Sequence, residues 1–293
     1  MRHLLAARDL SRDEILFLLN RCRHIEDAPA LAGRGVCLYF AEPSTRTRVS
    51  FATAARRLGA HGFDLSPATS SLAKGESVPD TVRTVRTLGA HVIVVRHAVA
   101  GFAALVARHA DGAAVVNAGD GMHEHPTQAL LDLATVEEAL GRAEGLHVAI
   151  VGDVVHSRVA RSHLAVHAAL GNDVTLVGPP AMVPADFAAA RVRVARDLDR
   201  VLPEADVLLV LRIQKERMRT NEIPSLAEYR ALYGVDARRA ERLREGAVLL
   251  HPGPMNVGDE ITDEAARSRA SRILRQVEIG VRMRMAVLEW VAS

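Results

Sequence analysis

Short, uninterrupted apolar runs that return again and again between helix-like segments constrain this chain more than any other feature. Seven of them read as strands: "GVCLYF" (35–40), "HVIVVRH" (91–97), "AAVVNAG" (113–119), "HVAIVGD" (147–153), "DVTLVG" (173–178), "DVLLVLRI" (206–213) and "AVLLHPGP" (247–254). Between them lie helical patterns such as "TRVSFATAARRLGAH", "HPTQALLDLATVEEALGR" and "SRVARSHLAVHAALGN". A strand with one wet face alternates apolar and polar residues. A continuously apolar strand needs cover on both faces, and alternation with helices supplies it in a parallel sheet. The expected fold class is therefore α/β, with mostly parallel sheets flanked by helices. A capping box, Ser11 with Glu14, opens an amphipathic helix ahead of the first strand.

The 293 residues suffice for one large domain or two ordinary ones. The seam is expected after the helix at 125–142, near "GRAEG", where a second run of strands begins. The last segment, "SRILRQVEIGVRMRMAVLEWV", reads as a long helix with no strand after it, free to pack back on the first half. Basic residues number 37 and acidic residues 35, so no one-sided field points to nucleic acid. No apolar run approaches the roughly 20 residues of a membrane span. The opening "MRHLLAARDLSRDE" turns charged too early for a signal peptide. Cys22 and Cys37 lack metal-type spacing and read as buried thiols in a reducing cytoplasm.

Polar residues gather where the strand candidates end: Ser44 to Arg48, Arg96, Asp120 to Gln128, Asp153 to Arg158, Arg212 to Arg217, and His251 to Pro254. Ligands bind at that edge of open parallel sheets, so the site is expected to collect loops from both halves. "PSTRTR" puts Ser44, Thr45, Arg46 and Thr47 on a strand-to-helix turn. Free N–H groups, hydroxyls and a guanidinium fork there suit a phosphate, although an ordinary Ser/Thr cap with solvated arginines has the same letters. In "GMHEHPTQALLDL", His125 and Gln128 stand three apart at a helix start. They suit a carbonyl oxygen and an NH2 group, or simply a capped helix. His123 with His125 would make a metal pair only with further ligands, and no matching set follows. "RIQKERM" (212–218) suits a carboxylated ligand or a solvated loop, and "SSLAKGES" (70–77) holds one lysine, Lys74. "HPGPMN" (251–256) has the turn chemistry to aim carbonyls at an NH2 group, and "VGD" (151–153) lacks the GxGxxG of a dinucleotide site.

Taken together and in order, "EPSTRTRVSF", "SSLAKGES", "VVRH", "NAGDGMHEHPTQALLDL", "GDVVHSRVARS", "RIQKER" and "HPGPMN" resemble the catalytic chains of aspartate carbamoyltransferases, within the transcarbamoylase family, over nearly the whole length. "STRTR" and "HPTQ" mark transcarbamoylases in general. "RIQKER" and "HPGP" resemble the aspartate branch, where the ornithine branch shows an SMG loop and HCLP. Val257, Asp259 and Ile279-Gly280 depart from the usual pattern.

The resemblance implies a carbamoyl phosphate-binding domain, 1–140 with the C-terminal helix 276–293, and an aspartate-binding domain, 141–275. It implies transfer of the carbamoyl group to the α-amine of L-aspartate in pyrimidine biosynthesis, without metal or cofactor, by a cytoplasmic homotrimer with shared sites. It leaves open a higher assembly with a regulatory chain or a dihydroorotase. Carried over, the carbamoyl phosphate ligands are Ser44, Thr45, Arg46, Thr47, Arg96, His125 and Gln128, with backbone groups of Gly253 and Pro254. The aspartate ligands are Arg158, Arg212 and Gln214, with Lys74, and Ser70 or Ser71, reaching in from a neighbouring subunit. Arg46, Thr47, Lys74, Arg96 and His125 carry the catalysis, and Glu42 binds Arg158 and Arg217 on domain closure. Two rival readings remain: a transcarbamoylase for another amine, and a catalytically weak scaffold subunit for a partner enzyme.

Overall fold

The computed structural model describes residues 2–67, 70–214 and 225–293. The chain divides into two compact units, one formed by 1–131 with 277–293 and the other by 132–276. The division falls inside the long helix that the sequence puts at 125–142, nine residues before the expected seam at 140/141.

Unit 1 is built on a four-stranded parallel sheet. Its elements are α1 (Arg12–His24), β1 (Gly35–Phe40), α2 (Thr45–Arg57), β2 (His61–Leu65), α3 (Val78–Thr87), β3 (Ala90–His97), α4 (Phe102–Ala107), β4 (Ala114–Asp120) and the start of α5 (Pro126–Leu140). The strand order is β2-β1-β3-β4, with every pair parallel. β1, β3 and β4 are the apolar runs expected from the sequence, and their Val, Ile and Cys37 side chains are buried. Burial pushes the Cys37 thiol up to about 12, so it packs as a small apolar group. The capping box on α1 is formed in both directions: the Glu14 N–H donates to Ser11 Oγ, and the Ser11 N–H donates to Glu14 Oε2. A two-pronged contact from Arg21 to Glu289, at 2.6 and 2.9 Å, ties α1 to the C-terminal helix, which packs back on this unit as expected.

Unit 2 holds β5 (His147–Val151), α6 (Arg158–Ala169), β6 (Asp173–Val177), β7 (Val192–Ala195), α7 (Leu198–Val201), β8 (Val207–Val210), α8 (Leu226–Tyr233), α9 (Ala237–Glu241), β9 (Val248–Leu250), α10 (Asp263–Ala266) and the start of α11 (Ile273–Ala292). Its five strands are parallel, in the order β7-β6-β5-β8-β9. The strand expected at 206–213 stops at Val210, and the one expected at 247–254 stops at Leu250. The positions that depart from the family pattern have local accounts. Val257 is exposed, Asp259 pairs with Arg230, and Ile279 is buried in α11.

One polar network lies inside unit 2. Asn172 Oδ1 accepts from the Leu146 N–H at 2.9 Å, which fixes its amide, so Nδ2 donates to Ala143 O and to His167 Nδ1. His167 Nε2 then carries the hydrogen and donates to His163 Nδ1 at 3.3 Å. His163 Nε2 in turn donates to Asp132 Oδ2 at 2.9 Å. Gln276 Nε2 reaches the other oxygen, Asp132 Oδ1, at 2.6 Å, and Gln276 Oε1 accepts the His251 N–H at 3.0 Å. Each bond in this series pairs a donor with an acceptor, which is what allows so many buried polar groups. Burial and the neighbouring His163 hold the His167 imidazole down to about 3.

Among the described residues no helix is long and apolar enough to cross a membrane.

Candidate functional site

The residues singled out in the sequence gather at the C-terminal ends of the strands in each unit. In unit 1, β1 ends at Phe40 and the chain turns through Glu42 and Pro43 into α2. Ser44 is the N-cap: its extended backbone stops the helix, and its Oγ accepts from the Thr47 N–H at 3.3 Å. Thr45 and Arg46 therefore occupy the first turn, where N–H groups and the positive end of the helix dipole attract an anion. Thr45 and Arg46 are exposed, while Thr47 is buried. A cleft of about 900 Å³ opens beside this turn, with Ser44, Thr45, Arg48 and Asp64 in its wall.

Arg96 enters the same edge from β3, where its backbone pairs with that of Phe40. Its guanidinium is oriented by Ala118 O at 3.0 Å and by the Glu42 carboxylate, 3.4 Å from Nε. The Glu42–Arg96 pair lies wholly within unit 1. Arg217, a candidate partner of Glu42, lies outside the described residues.

His125 precedes Pro126, the first residue of α5, and its carbonyl accepts the N–H of Gln128 at 3.0 Å. Both side chains are buried, at 5% and 7% exposure, so neither is a solvated helix-start residue. The turn before them is held by Asp120, the buried carboxylate that opens the polar stretch 120–128. It accepts from the N–H groups of Gly101 and Glu124 and from Asn117 Nδ2, at 2.6, 3.0 and 2.9 Å. His123 bonds to Asp120 and to Arg8, which accounts for its place in the HxH pair. Among the described residues no group of three His, Cys, Asp or Glu is placed to hold a metal ion. Lys74 ends a short 3₁₀ turn, Ser71–Lys74, closed by Gly75 with φ +92°, and its side chain is exposed. Ser70 Oγ donates to Pro67 O at 3.2 Å.

In unit 2, β5 runs into Gly152, whose φ of +120° turns the chain toward Asp153. A Cβ there would also stand 3.1 Å from Leu211 O and from the hydroxyl of Tyr229, so glycine is required. Burial raises the Tyr229 phenol, and the charges of Glu260 and Asp153 add to the shift. Arg158 is the first residue of α6, after the N-cap Ser157, and is buried at 6% exposure. Beyond β8, Arg212 Nη1 lies 3.4 Å from Gln214 Oε1, so these two candidate ligands are in contact. The Gln214 N–H donates to Asp153 Oδ2 at 3.3 Å. Beyond β9, His251 is fully buried and accepts the Gly253 N–H on Nδ1 at 2.9 Å, and the Gly253–Pro254 peptide bond is cis. Glu260 bonds to this turn. It went unmarked because "VGDEITDE" reads as an exposed acidic stretch, with nothing local to single out one acid as buried.

Chemically, unit 1 offers, at the C-terminal ends of its strands, a helix start suited to an anion, a guanidinium, an imidazole and an amide. Unit 2 offers two guanidinium groups and an amide suited to carboxylates. The family model described as "Aspartate/ornithine carbamoyltransferase, carbamoyl-P binding domain" matches residues 2–138, and the one described as "Aspartate/ornithine carbamoyltransferase, Asp/Orn binding domain" matches 144–291. An aspartate carbamoyltransferase catalytic subunit from Salinispora tropica is 50% identical over 299 residues, covering 98% of this chain and 97% of its own. One from Thermobifida fusca is 49% identical, covering 98% and 94%. Among solved structures, aspartate transcarbamoylase from Trypanosoma cruzi in complex with carbamoyl phosphate and aspartate is 31% identical, with a TM-score of 0.91 over 99% of this chain and 96% of that one. Ornithine carbamoyltransferase from Thermus thermophilus is 28% identical, with a TM-score of 0.88 over 99% of each chain.

Proposed function

Because this chain belongs to the aspartate/ornithine carbamoyltransferase family, we propose that unit 1 binds carbamoyl phosphate and that unit 2 binds the amine acceptor. The reaction is transfer of the carbamoyl group from carbamoyl phosphate to the α-amine of L-aspartate, giving N-carbamoyl-L-aspartate and phosphate, a step of pyrimidine synthesis. The observation that carries the choice of acceptor is the chemistry at the strand ends of unit 2. Arg158 and Arg212 supply two guanidinium forks for two carboxylates, whereas ornithine, with a second amine, would call for an acid in their place.

The residue roles follow from the chemistry. The amine attacks the carbamoyl carbon, and the carbonyl oxygen gains negative charge. Thr47, Arg96 and His125 donate to that oxygen, and the fixed orientation of Arg96 by Glu42 and Ala118 supports a preorganised donor. Gln128 and the carbonyls of Gly253 and Pro254 orient the NH2 group. Phosphate departs into the Ser44–Thr47 turn, and its oxygen takes the proton released by the amine. Positioning and charge stabilisation supply the rate. Lys74 belongs to the same machinery through a neighbouring copy in a homotrimer, and the enzyme works in the cytoplasm, where two buried free thiols persist reduced.

The direct test is steady-state assay of the purified chain with carbamoyl phosphate and a panel of amines. Aspartate is expected to be carbamoylated and ornithine is not. Equal turnover of ornithine would overturn the acceptor, and no turnover of any amine would leave the scaffold reading.

A further inference from the structure

The strand end that carries Arg212 and Gln214 is not held by the sheet. β8 pairs with β5 only as far as Val210, and the Leu211 N–H makes the next bond, to Val151 O at 2.8 Å. Past that point the backbone is held by side chains from elsewhere in unit 2. The Ile213 N–H donates to Glu260 Oε2 at 3.5 Å, and the Ile213 carbonyl accepts from Asn256 Nδ2 at 3.1 Å. The Gln214 N–H donates to Asp153.

Glu260 has no exposed surface, and its other oxygen is bonded to the turn after β9. Glu260 Oε1 accepts from the Asn256 N–H at 2.6 Å and from His251 Nε2 at 3.2 Å. His251 is set for that bond, because Nδ1 accepts the Gly253 N–H and leaves the hydrogen on Nε2. The three groups bonded to Glu260 all donate, so a carboxylate, which only accepts, fits this position and an amide does not. Burying a carboxylate is costly unless its lone pairs meet donors, and here they meet donors from two separate loops.

We propose that Glu260 is a positioning residue for the amine acceptor: by joining the 251–256 turn to the backbone of Ile213, it fixes Arg212 and Gln214 where they grip aspartate. The inference rests on the reading of Arg212 and Gln214 as aspartate ligands. Planar guanidinium–carboxylate contacts lose strength with small displacements, so slack in this strand end should appear first as weakened aspartate binding. Phosphate recognition, which belongs to α2 in unit 1, should be spared.

Glu260→Gln tests this, because it keeps the volume and turns one acceptor edge into a donor facing donors. The control is Asp206→Asn. Asp206 is also buried and sits at the other end of β8, where it accepts the His147 N–H at 2.9 Å. The wild-type chain is assayed first, and if it does not carbamoylate aspartate the functional reading itself fails. With an active wild type, Glu260→Gln is expected to raise KM for aspartate at least tenfold, with the Kd of inorganic phosphate changed less than twofold. Asp206→Asn is expected to lower Tm and leave both constants within twofold. Asn256→Ala, which removes the bond to the Ile213 carbonyl from the opposite side, is expected to raise KM for aspartate three- to tenfold, and serves if Glu260→Gln does not fold. The inference is overturned if the variant that folds shows an aspartate KM within twofold of wild type. It is equally overturned if phosphate affinity falls by the same factor as aspartate affinity, because that is general loosening.

Discussion

His125 illustrates how burial changes the reading of a single side chain. At a helix start it would ordinarily be solvated, but at 5% exposure its imidazole is held among protein groups. If it donates to the developing oxyanion, His125→Ala should lower kcat about 100-fold, with a smaller change in carbamoyl phosphate affinity. An unchanged kcat would return it to a capping role. His167 makes a second residue-scale prediction, on stability. Its pKa is held at about 3, against 6.5 for an ordinary histidine. Between those values the unfolded chain binds a proton that the folded chain does not. The contribution of His167 is therefore fully present above pH 6.5 and is lost as pH falls toward 3. At pH 4.5 the loss amounts to about 3 kcal/mol, from about 1.4 kcal/mol per pH unit. Denaturant unfolding of His167→Leu between pH 6.5 and 4.5 should show a shallower pH slope than wild type, by close to one proton. Equal slopes would mean that His167 is protonated in the native state.

At the level of elements, the sequence resolves the centres of both sheets better than their margins. The middles of β1, β3, β5, β6 and β8 are buried on both faces and almost wholly apolar, and continuous hydrophobicity betrays such strands. β2 and β7 were not anticipated. Both are edge strands, "HGFDL" and "VRVA", with mostly exposed or half-buried side chains, so they carry charge where an inner strand could not. The apolar runs outlast the strands for a related reason: "RI" and "HPGP" follow the strands while side chains, and not the ladder, hold the N–H groups of Ile213, His251 and Gly253. The candidate ligands were legible because they cluster at strand ends. The buried acid Glu260 was not, since its partners, two backbone N–H groups and a histidine ring, are brought to it by the fold and leave no local pattern in the sequence. The element-scale prediction concerns the start of α6 and the end of β8. Arg158→Ala and Arg212→Ala should each raise KM for aspartate about 100-fold, as expected for loss of about 3 kcal/mol from a desolvated charge-assisted pair. Neither should make ornithine a substrate. A gain of ornithine turnover in either variant would place the specificity elsewhere.

For the whole molecule, the proposed shared site makes a quantitative prediction. Arg46→Ala and Lys74→Ala should each nearly abolish activity as pure assemblies. Dissociated and mixed in equal amounts, the two would form mixed trimers three times in four. Each mixed trimer has one intact site in three, so about a quarter of wild-type activity should return under cyclic assembly. A mixture that stays inactive despite verified subunit exchange would refute sharing through Lys74. The buried series from Asn172 through His167 and His163 to Asp132 bears on how such a molecule can change over generations. Its hydrogens all run one way, from the amide to the carboxylate. Asn172→Asp would turn His167 around and, through it, His163, leaving a bare ring nitrogen against the Asp132 carboxylate. The harm done at one end would then appear at the other, three steps away in the series but forty residues in the numbering. These positions are thus bound to one another in the order of their replacement: lineages that lose one member early are expected to replace the others afterwards, and a substitution harmless in such a lineage would be damaging when moved alone into this chain.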